Sequence, residues 1–348
     1  MSIDTAYMRD ALTRRLLRRG VSGGTITLPA VPAMVDEYVS MCNKIFAALG
    51  RRFNNDELAH LRTLLAKELA NAFEGSNRSN IIITYDAPVG TVLNYHIQPQ
   101  WASLADTYDN WAATRKPPLF GTHPDARVAA LSAQFADPTT ARVLDIGAGT
   151  GRNALALARK GHPVDAVELS PKFAEILREE AYRHLLNVRV IDRDIFDSLD
   201  DLQKDYQLII LSEVVSDFSS LEQLRAVFEL AAECLAPGGQ LVFNVFMPKP
   251  FHMSDDAVNA LAQAARELGQ QVYSAIFTGE EIDTASAGLP LRLMTNDSVY
   301  DFEKENLPAG AWPHTGWYAE WVSGQDLFDL PREQCPVEMR WLVYQKTA

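Results

Sequence analysis

Between residues 31 and 75 apolar side chains recur at helical spacing, first Val35, Val39, Ile45 and Leu49, then Leu58, Leu61, Leu65 and Leu69. That period of three to four residues predicts two helices, each burying one face. Asn54 or Asn55, ahead of Asp56 and Glu57, offers the side-chain oxygen that starts the second. Two strand-like runs follow, Ile81 to Tyr85 and Val92 to Ile97, and Pro88-Val89-Gly90 between them predicts a hairpin. Helical stretches are expected at about 101–113 and, past Pro117 and Pro118, at 124–136. From residue 141 the pattern changes. Short, nearly continuous apolar runs at 141–146, 163–168, 187–192, 206–212 and 239–246 alternate with helical periods at 151–160, 171–185, 219–235 and 254–268. Strands that are apolar on both faces and separated by helices predict an α/β fold, a parallel sheet covered on both sides. Residues 279–335 read as a loop-rich insertion with Trp312, Trp317, Tyr318, Trp321 and Phe328, too long for a simple connection. A last alternating strand, Val337 to Gln345, is expected to close the sheet edge.

The 348 residues suffice for one large domain with additions or for two modest ones. A formal net charge of −13 disfavours a nucleic-acid partner. The one basic cluster, Arg9, Arg14, Arg15, Arg18 and Arg19, is interleaved with Leu12, Leu16 and Leu17. It reads as a solvated helix face in preference to a membrane or nucleic-acid arm. Cys42, Cys234 and Cys335 are odd in number, far apart and without metal-ligand spacing, which suits reduced thiols and a cytoplasmic setting with no metal. No run approaches the ~20 apolar residues of a membrane span, and no secretory leader is evident.

The chemistry centres on Val143-Leu144-Asp145-Ile146-Gly147-Ala148-Gly149-Thr150-Gly151. A buried strand runs into a glycine turn and then a helix, so backbone approaches a ligand without Cβ clashes. The spacing G-x-G-x-G differs from the G-x-G-x-x-G of dinucleotide folds, which makes a nicotinamide oxidoreductase a poor rival. Glu168 is delivered by the second strand to the sheet's carboxyl edge, where a carboxylate can accept both ribose hydroxyls; the alternative is an acid that merely caps a surface helix. After the third strand, Asp194 could accept from an adenine amino group while Ile195 packs on the ring, and Asp192 reads as solvent-exposed. The fourth strand ends at Ser212-Glu213, and Leu235-Ala236-Pro237-Gly238-Gly239 introduces the fifth.

Together these features resemble the class I S-adenosylmethionine-dependent methyltransferases, over residues 141 to 247. Gly151-Arg152-Asn153 and the Ala-rich helix after it resemble small-molecule and tellurite-resistance members in particular. The resemblance implies a doubly wound, seven-stranded, mostly parallel sheet over about 121–348, and the pattern ahead of it reads as a mainly helical cap with a short hairpin over 1–120. The resemblance also implies that Gly147, Gly149 and Gly151 hold the methionine part of S-adenosylmethionine, with Asp145 positioning it. Glu168 with Leu169 would take the ribose, Asp194 and Ile195 the adenine, and Ser212 and Glu213 would face the sulfonium. The cation also suits aromatic faces, Tyr108, Trp111 and the insertion's tryptophans among them.

Tyr108, Trp111 and Arg115 share one helical face just before the core, and Arg115 could meet a carboxylate of cofactor or acceptor. Trp111 could equally be core. His314 titrates near neutrality and is the candidate general base, with Tyr318 beside it; Tyr95 and His96 are a second choice. The acceptor would enter between cap and insertion. The expected activity is methyl transfer to O or N of a small-molecule or peptide-like acceptor. The alternatives are a protein methyltransferase and a module that senses the cofactor without turnover.

Overall fold

The structure, a computed structural model, describes residues 4–114, 118–249, 253–268 and 274–347. The chain falls into two compact units, residues 1–103 with 267–271, and residues 104–266 with 272–348.

The first unit contains α1 (Thr5–Leu17), β1 (Ser22–Pro29), α2 (Val35–Ala48), α3 (Asn55–Gly75), β2 (Asn80–Ala87) and β3 (Asn94–Gln100). The two helices and the hairpin fall where the periodicity placed them. Asn54 caps α3 reciprocally, its side chain accepting from the Glu57 amide at 2.9 Å while Glu57 accepts from the Asn54 amide at 2.7 Å. Cys42 and Phe46 of α2, Leu61, Leu65 and Leu69 of α3, and Ile81, Ile83 and Ile97 of the hairpin form one core. β1 was not foreseen. It pairs antiparallel with β2 along its whole length, and its sequence Ser-Gly-Gly-Thr-Ile-Thr-Leu-Pro alternates small polar residues with only two large apolar ones, too weak a pattern to announce a strand. The N-terminal part is therefore two helices against a three-stranded sheet, with α1 in addition.

The second unit begins with α4 (Leu104–Thr114) and α5 (Ala126–Ser132). Strand and helix then alternate: β4 (Val143–Ile146), α6 (Arg152–Arg159), β5 (Val164–Val167), α7 (Pro171–Arg183), β6 (Val188–Ile191), β7 (Tyr206–Leu211), α8 (Leu221–Cys234), β8 (Leu235–Pro248) and α9 (Asp255–Leu268). The run closes with α10 (Gly279–Ser286), β9 (Leu291–Ser298), α11 (Val299–Asn306), α12 (Tyr318–Ser323), α13 (Gln325–Phe328) and β10 (Val337–Lys346). The sheet has seven strands in the order β6-β5-β4-β7-β8-β10-β9. The pairs from β6 to β8 are parallel, and β10 runs antiparallel to both neighbours. Successive residues of one strand enter opposite cores: Val143, Leu208, Ile210 and Val242 lie in one, and Leu144, Ile209, Leu211 and Phe243 in the other. That two-residue alternation into two apolar layers is why the strands read as continuous hydrophobic runs.

Two expectations need correction. Residues 279–335 are not chiefly loop, because α10, β9, α11, α12 and α13 lie within them. The last strand does not form the edge either: β10 is inserted between β8 and β9, and β9 is outermost. β9 escaped notice because Leu291-Arg292-Leu293-Met294-Thr295-Asn296-Asp297-Ser298 has no buried residue. The chain builds β4, β5 and β6 outward in one direction and then returns to place β7 on the other side of β4. Ligands bind in open α/β sheets beyond the strand carboxyl ends at such a reversal.

Candidate active site

At the carboxyl end of β4 the chain turns through Gly147, Gly149 and Gly151 with φ of 68°, 56° and 95°, a left-handed conformation that only glycine adopts without strain. The surroundings tighten the requirement. A Cβ at Gly147 would come within 2.4 Å of Val214, and one at Gly151 within 2.4 Å of Leu177. Glu168, just past β5, is 5% exposed. One of its oxygens accepts from the Gly149 amide at 2.7 Å and the other from the Ser170 amide at 2.8 Å. Burial raises its pKa, opposed by these backbone donors. The carboxylate thus locks the glycine turn to the end of β5, and each oxygen keeps a further acceptor site.

Asp145, near the end of β4, is 2% exposed, and its Oδ2 has no hydrogen-bond partner. Burial, reinforced by the charge on Asp125, pushes its pKa up to about 7. Beside it is a buried ionic cluster. Arg152, the first residue of α6, donates to Asp125 at 2.6 Å and to Glu213 at 2.6 Å. Asp125 also accepts from Asn153 at 2.8 Å and Ser212 at 2.7 Å. Glu213 has φ 62°, and its amide is held by Asn244 at 2.7 Å. A left-handed non-glycine residue in a buried ion pair is strained backbone of the kind that gathers at functional sites.

His314 extends this cluster. Its side chain is 2% exposed, and Nε2 lies 3.3 Å from Asp125 Oδ1 and 3.7 Å from Glu303 Oε2. Burial opposes its charge, but Asp125 and Glu303 outweigh that and its pKa is raised. Glu303 accepts from the amides of Ala126 at 2.6 Å and Arg127 at 3.1 Å and from Trp341 Nε1 at 2.9 Å. Asp125, Glu303 and His314 each present a ligand atom within 4.8 Å of the others. Both carboxylates already accept three hydrogen bonds, which fits them to hold an imidazole better than to surround a cation. The Tyr318 ring stands 5.0 Å from that of His314, its hydroxyl buried without a partner. Burial and the charges of Glu213, Asp125 and Glu303 raise the pKa of this phenol well above its ordinary value.

The remaining candidates divide. Tyr108 donates to Asp217 at 2.7 Å, and its ring lies 5.7 Å from Phe173 on α7. Leu169 is half-buried between Glu168 and Ser170. Asp194 caps the short turn after β6 by accepting from the Phe196 amide at 2.9 Å, and Ile195 is buried in the core. Asp192 pairs with Arg178 at 2.9 Å across an exposed surface. Tyr318 and Trp321 pack into the core, with Trp321 set edge-on 5.5 Å from Phe246, while Trp317 is partly exposed. Trp312 meets Tyr318 edge-on at 5.9 Å. Tyr95 lies in the other unit, against Phe46 and Phe53, and His96 is exposed there. Arg115 falls outside the described residues, as does the side chain of Trp111. Asp125, Arg152 and Glu303 were not foreseen as site residues. Arg152 alone carried a signal, its place directly after the last turn glycine.

Residues 120–284 match the family described as a methyltransferase domain. The ubiquinone biosynthesis O-methyltransferase of Xanthomonas campestris pv. campestris (strain B100) is 26% identical over 165 residues, 47% of this chain and 66% of the relative. That of Xanthomonas axonopodis pv. citri (strain 306) is 25% identical over 151 residues, 43% and 61% of the two chains. This chain thus spans less than two thirds of the length of either relative. Among solved structures, geranyl diphosphate C-methyltransferase from Streptomyces coelicolor A3(2) shows 16% identity over 64% of this chain and 80% of its own, with a TM-score of 0.43. A geranyl diphosphate methyltransferase in complex with S-adenosylmethionine shows 17% identity over 64% and 85%, with a TM-score of 0.46. Over residues 120–284, just under half of the chain, the sequence thus resembles a methyltransferase domain.

Proposed function

We propose that this chain is an S-adenosylmethionine-dependent methyltransferase acting on an oxygen or nitrogen of a small-molecule or peptide-like acceptor in the cytoplasm. The observation that carries the reading is the clamp between Glu168 and the Gly149 amide at the sheet's reversal point. The residues fit the cofactor. Glu168 retains acceptor capacity for two ribose hydroxyls, Asp194 offers an oxygen toward an amino group, and the orphaned Asp145 Oδ2 suits an ammonium. The cytoplasmic setting rests on three buried, unpaired cysteines, and no described helix is long and apolar enough to cross a membrane.

When bound, S-adenosylmethionine supplies an electrophilic methyl group on a positively charged sulfur. The chain's own residues hold the reactants and manage one proton. Asp125 and Glu303, 3.3 Å and 3.7 Å from Nε2 of His314, would keep a proton on that nitrogen, although both ring nitrogens are buried without a hydrogen-bond partner; the lone pair on Nδ1 would then take the proton from the acceptor as its O–CH3 or N–CH3 bond forms. Alignment supplies most of the acceleration, ~7–11 kcal/mol when geometry is near attack, whereas a base contributes ~10²–10⁴-fold. The test is transfer of tritium from labelled S-adenosylmethionine to phenolic, carboxylic and amine acceptors. Turnover that falls about 100-fold or more in His314→Gln, with cofactor binding kept, supports the reading. Absence of cofactor binding in the wild-type chain defeats it, and binding without transfer to any small molecule or protein points to a sensing module.

A further inference from the structure

α1 belongs to the first unit and has no buried residue. Met8, Leu12 and Leu16 follow one another at four-residue intervals and so share a stripe, with Arg15, three residues past Leu12, on the same side. Leu12 is 60% exposed and Leu16 68%. Asp4 to Arg19 carries five arginines against two aspartates, a surplus of three positive charges in a chain of formal net charge −13. The sequence alone favoured a solvated helix face, but a solvated face needs no leucine stripe. An exposed helix of 13 residues is also marginal in water without something to cover its apolar side.

The surface continues beyond the helix. The Gly90 amide donates to the Arg18 carbonyl at 3.0 Å. Arg51, 2% exposed, donates to the carbonyls of Gly20 at 3.3 Å, Leu49 at 3.0 Å and Val92 at 3.1 Å, and also to that of Pro88. One buried guanidinium therefore fixes the turn at 88–92 to the carboxyl end of α1. Val21, Val89 and Val92 are held there with their side chains in solvent.

We propose that α1 and the 88–92 turn form a docking surface for an anionic phospholipid bilayer. Met8, Leu12 and Leu16 would enter the headgroup boundary, and Arg9, Arg15, Arg18 and Arg19 would meet lipid phosphates. The charge and the apolar stripe together choose this occupant. Nucleic acid calls for the arginines and not the leucines. A symmetric contact with a second copy would set arginine against arginine. At 1.5 Å per residue the helix extends only about 20 Å, short of a ~30 Å hydrocarbon core, so it would lie on the membrane without spanning it.

The test is sedimentation of the full chain with vesicles of phosphatidylcholine alone or with phosphatidylglycerol added, at low and high salt. Two variants accompany it, Leu12→Ser/Leu16→Ser and Arg15→Gln/Arg18→Gln/Arg19→Gln, both at exposed positions, with unchanged circular dichroism confirming the fold. Binding is expected only with the anionic lipid and should weaken with salt. It should fall about fivefold for each arginine removed and also fall in the serine variant. Equal binding to neutral vesicles, or binding untouched by both variants, overturns the proposal. So does a concentration-dependent dimer in light scattering that the serine variant abolishes, or retention of duplex DNA by wild type but not by the glutamine variant. None of these readouts depends on methyl transfer.

Discussion

Asp145 is the residue whose charge state the fold alters most usefully. Its carboxyl rises from an ordinary 3.8 to about 7, through burial first and the Asp125 charge second. Between those values the folded chain binds a proton that the unfolded chain releases, so stability falls as pH rises through that window and the full penalty stands above it. Asp145→Asn removes the penalty. The variant should melt at a higher temperature than wild type at pH 8 with no cofactor present, yet bind S-adenosylmethionine more weakly. An ammonium placed on Oδ2 would draw the carboxyl back to its charged form, so cofactor binding near pH 6 should release protons. Calorimetric heats that do not change with the ionisation enthalpy of the buffer would contradict that role. His314 behaves in the opposite sense. Its raised pKa contributes stability that is complete below about 6.5 and lost as pH climbs through the folded value. The rate should depend on the same ionisation, rising with pH as Nδ1 is freed, and His314→Gln should flatten that limb in a pH–rate profile. At this scale the sequence revealed groups attached to a strand end, Glu168 above all. It could not reveal Asp125 or Glu303, because an isolated carboxylate looks the same in sequence whether its partner is water or a group distant in the chain.

The elements explain which substitutions the site tolerates. Gly151 and Gly149 both sit at positive φ, but a Cβ at Gly151 meets Leu177 at 2.4 Å and Leu155 at 2.7 Å, whereas at Gly149 the first contact is Phe120 at 3.3 Å. Each alanine pays a left-handed penalty of roughly 1–2 kcal/mol. Gly151→Ala adds overpacking of about 1–3 kcal/mol between α6 and α7. Denaturant unfolding should therefore rank Gly151→Ala below Gly149→Ala in stability. The Gly149 variant should show its deficit mainly in cofactor affinity, since it is this amide that Glu168 holds; equal midpoints for the two would refute the packing argument. The same reasoning separates legible strands from illegible ones. β4, β5, β7 and β8 are buried on both faces and announced themselves as apolar runs. β1 and β9 lie at sheet edges with much of their length in water, and their hydrophobic signal is correspondingly faint. α12 and α13, inside 279–335, leave no periodic trace in the sequence because they span six and four residues, less than two turns.

Across the whole molecule, the hydrophobic clusters are distributed without overlap: one contains residues from 1–103 only, and the other two contain residues from 104–348 only. Sequence could place the alternating pattern that builds the second unit, but not the long-range convergence at its centre, where Glu303 reaches the Ala126 amide across 177 positions. That convergence makes Arg152 the counter-charge for Asp125 and Glu213 at once. Replacing it with methionine leaves buried carboxylates uncompensated, which should destabilise the second unit by about 3–5 kcal/mol. The Arg152→Met/Asp125→Asn double variant, losing one charge of each sign, should recover part of the loss. Ligand linkage gives the complementary measurement. A ligand at 100 times its Kd stabilises the state that binds it by about 2.7 kcal/mol. Since the glycine turn follows β4, Glu168 follows β5 and Glu213 follows β7, hydrogen exchange with S-adenosylmethionine added should slow most at the amides of those strands. The amides of α2, α3 and the β2–β3 hairpin, whose core contributes no residue to the site, should exchange at their unliganded rates. Protection appearing instead in that hairpin would move the cofactor away from the glycine turn and remove the basis for assigning Asp145, Glu168 and His314 their roles.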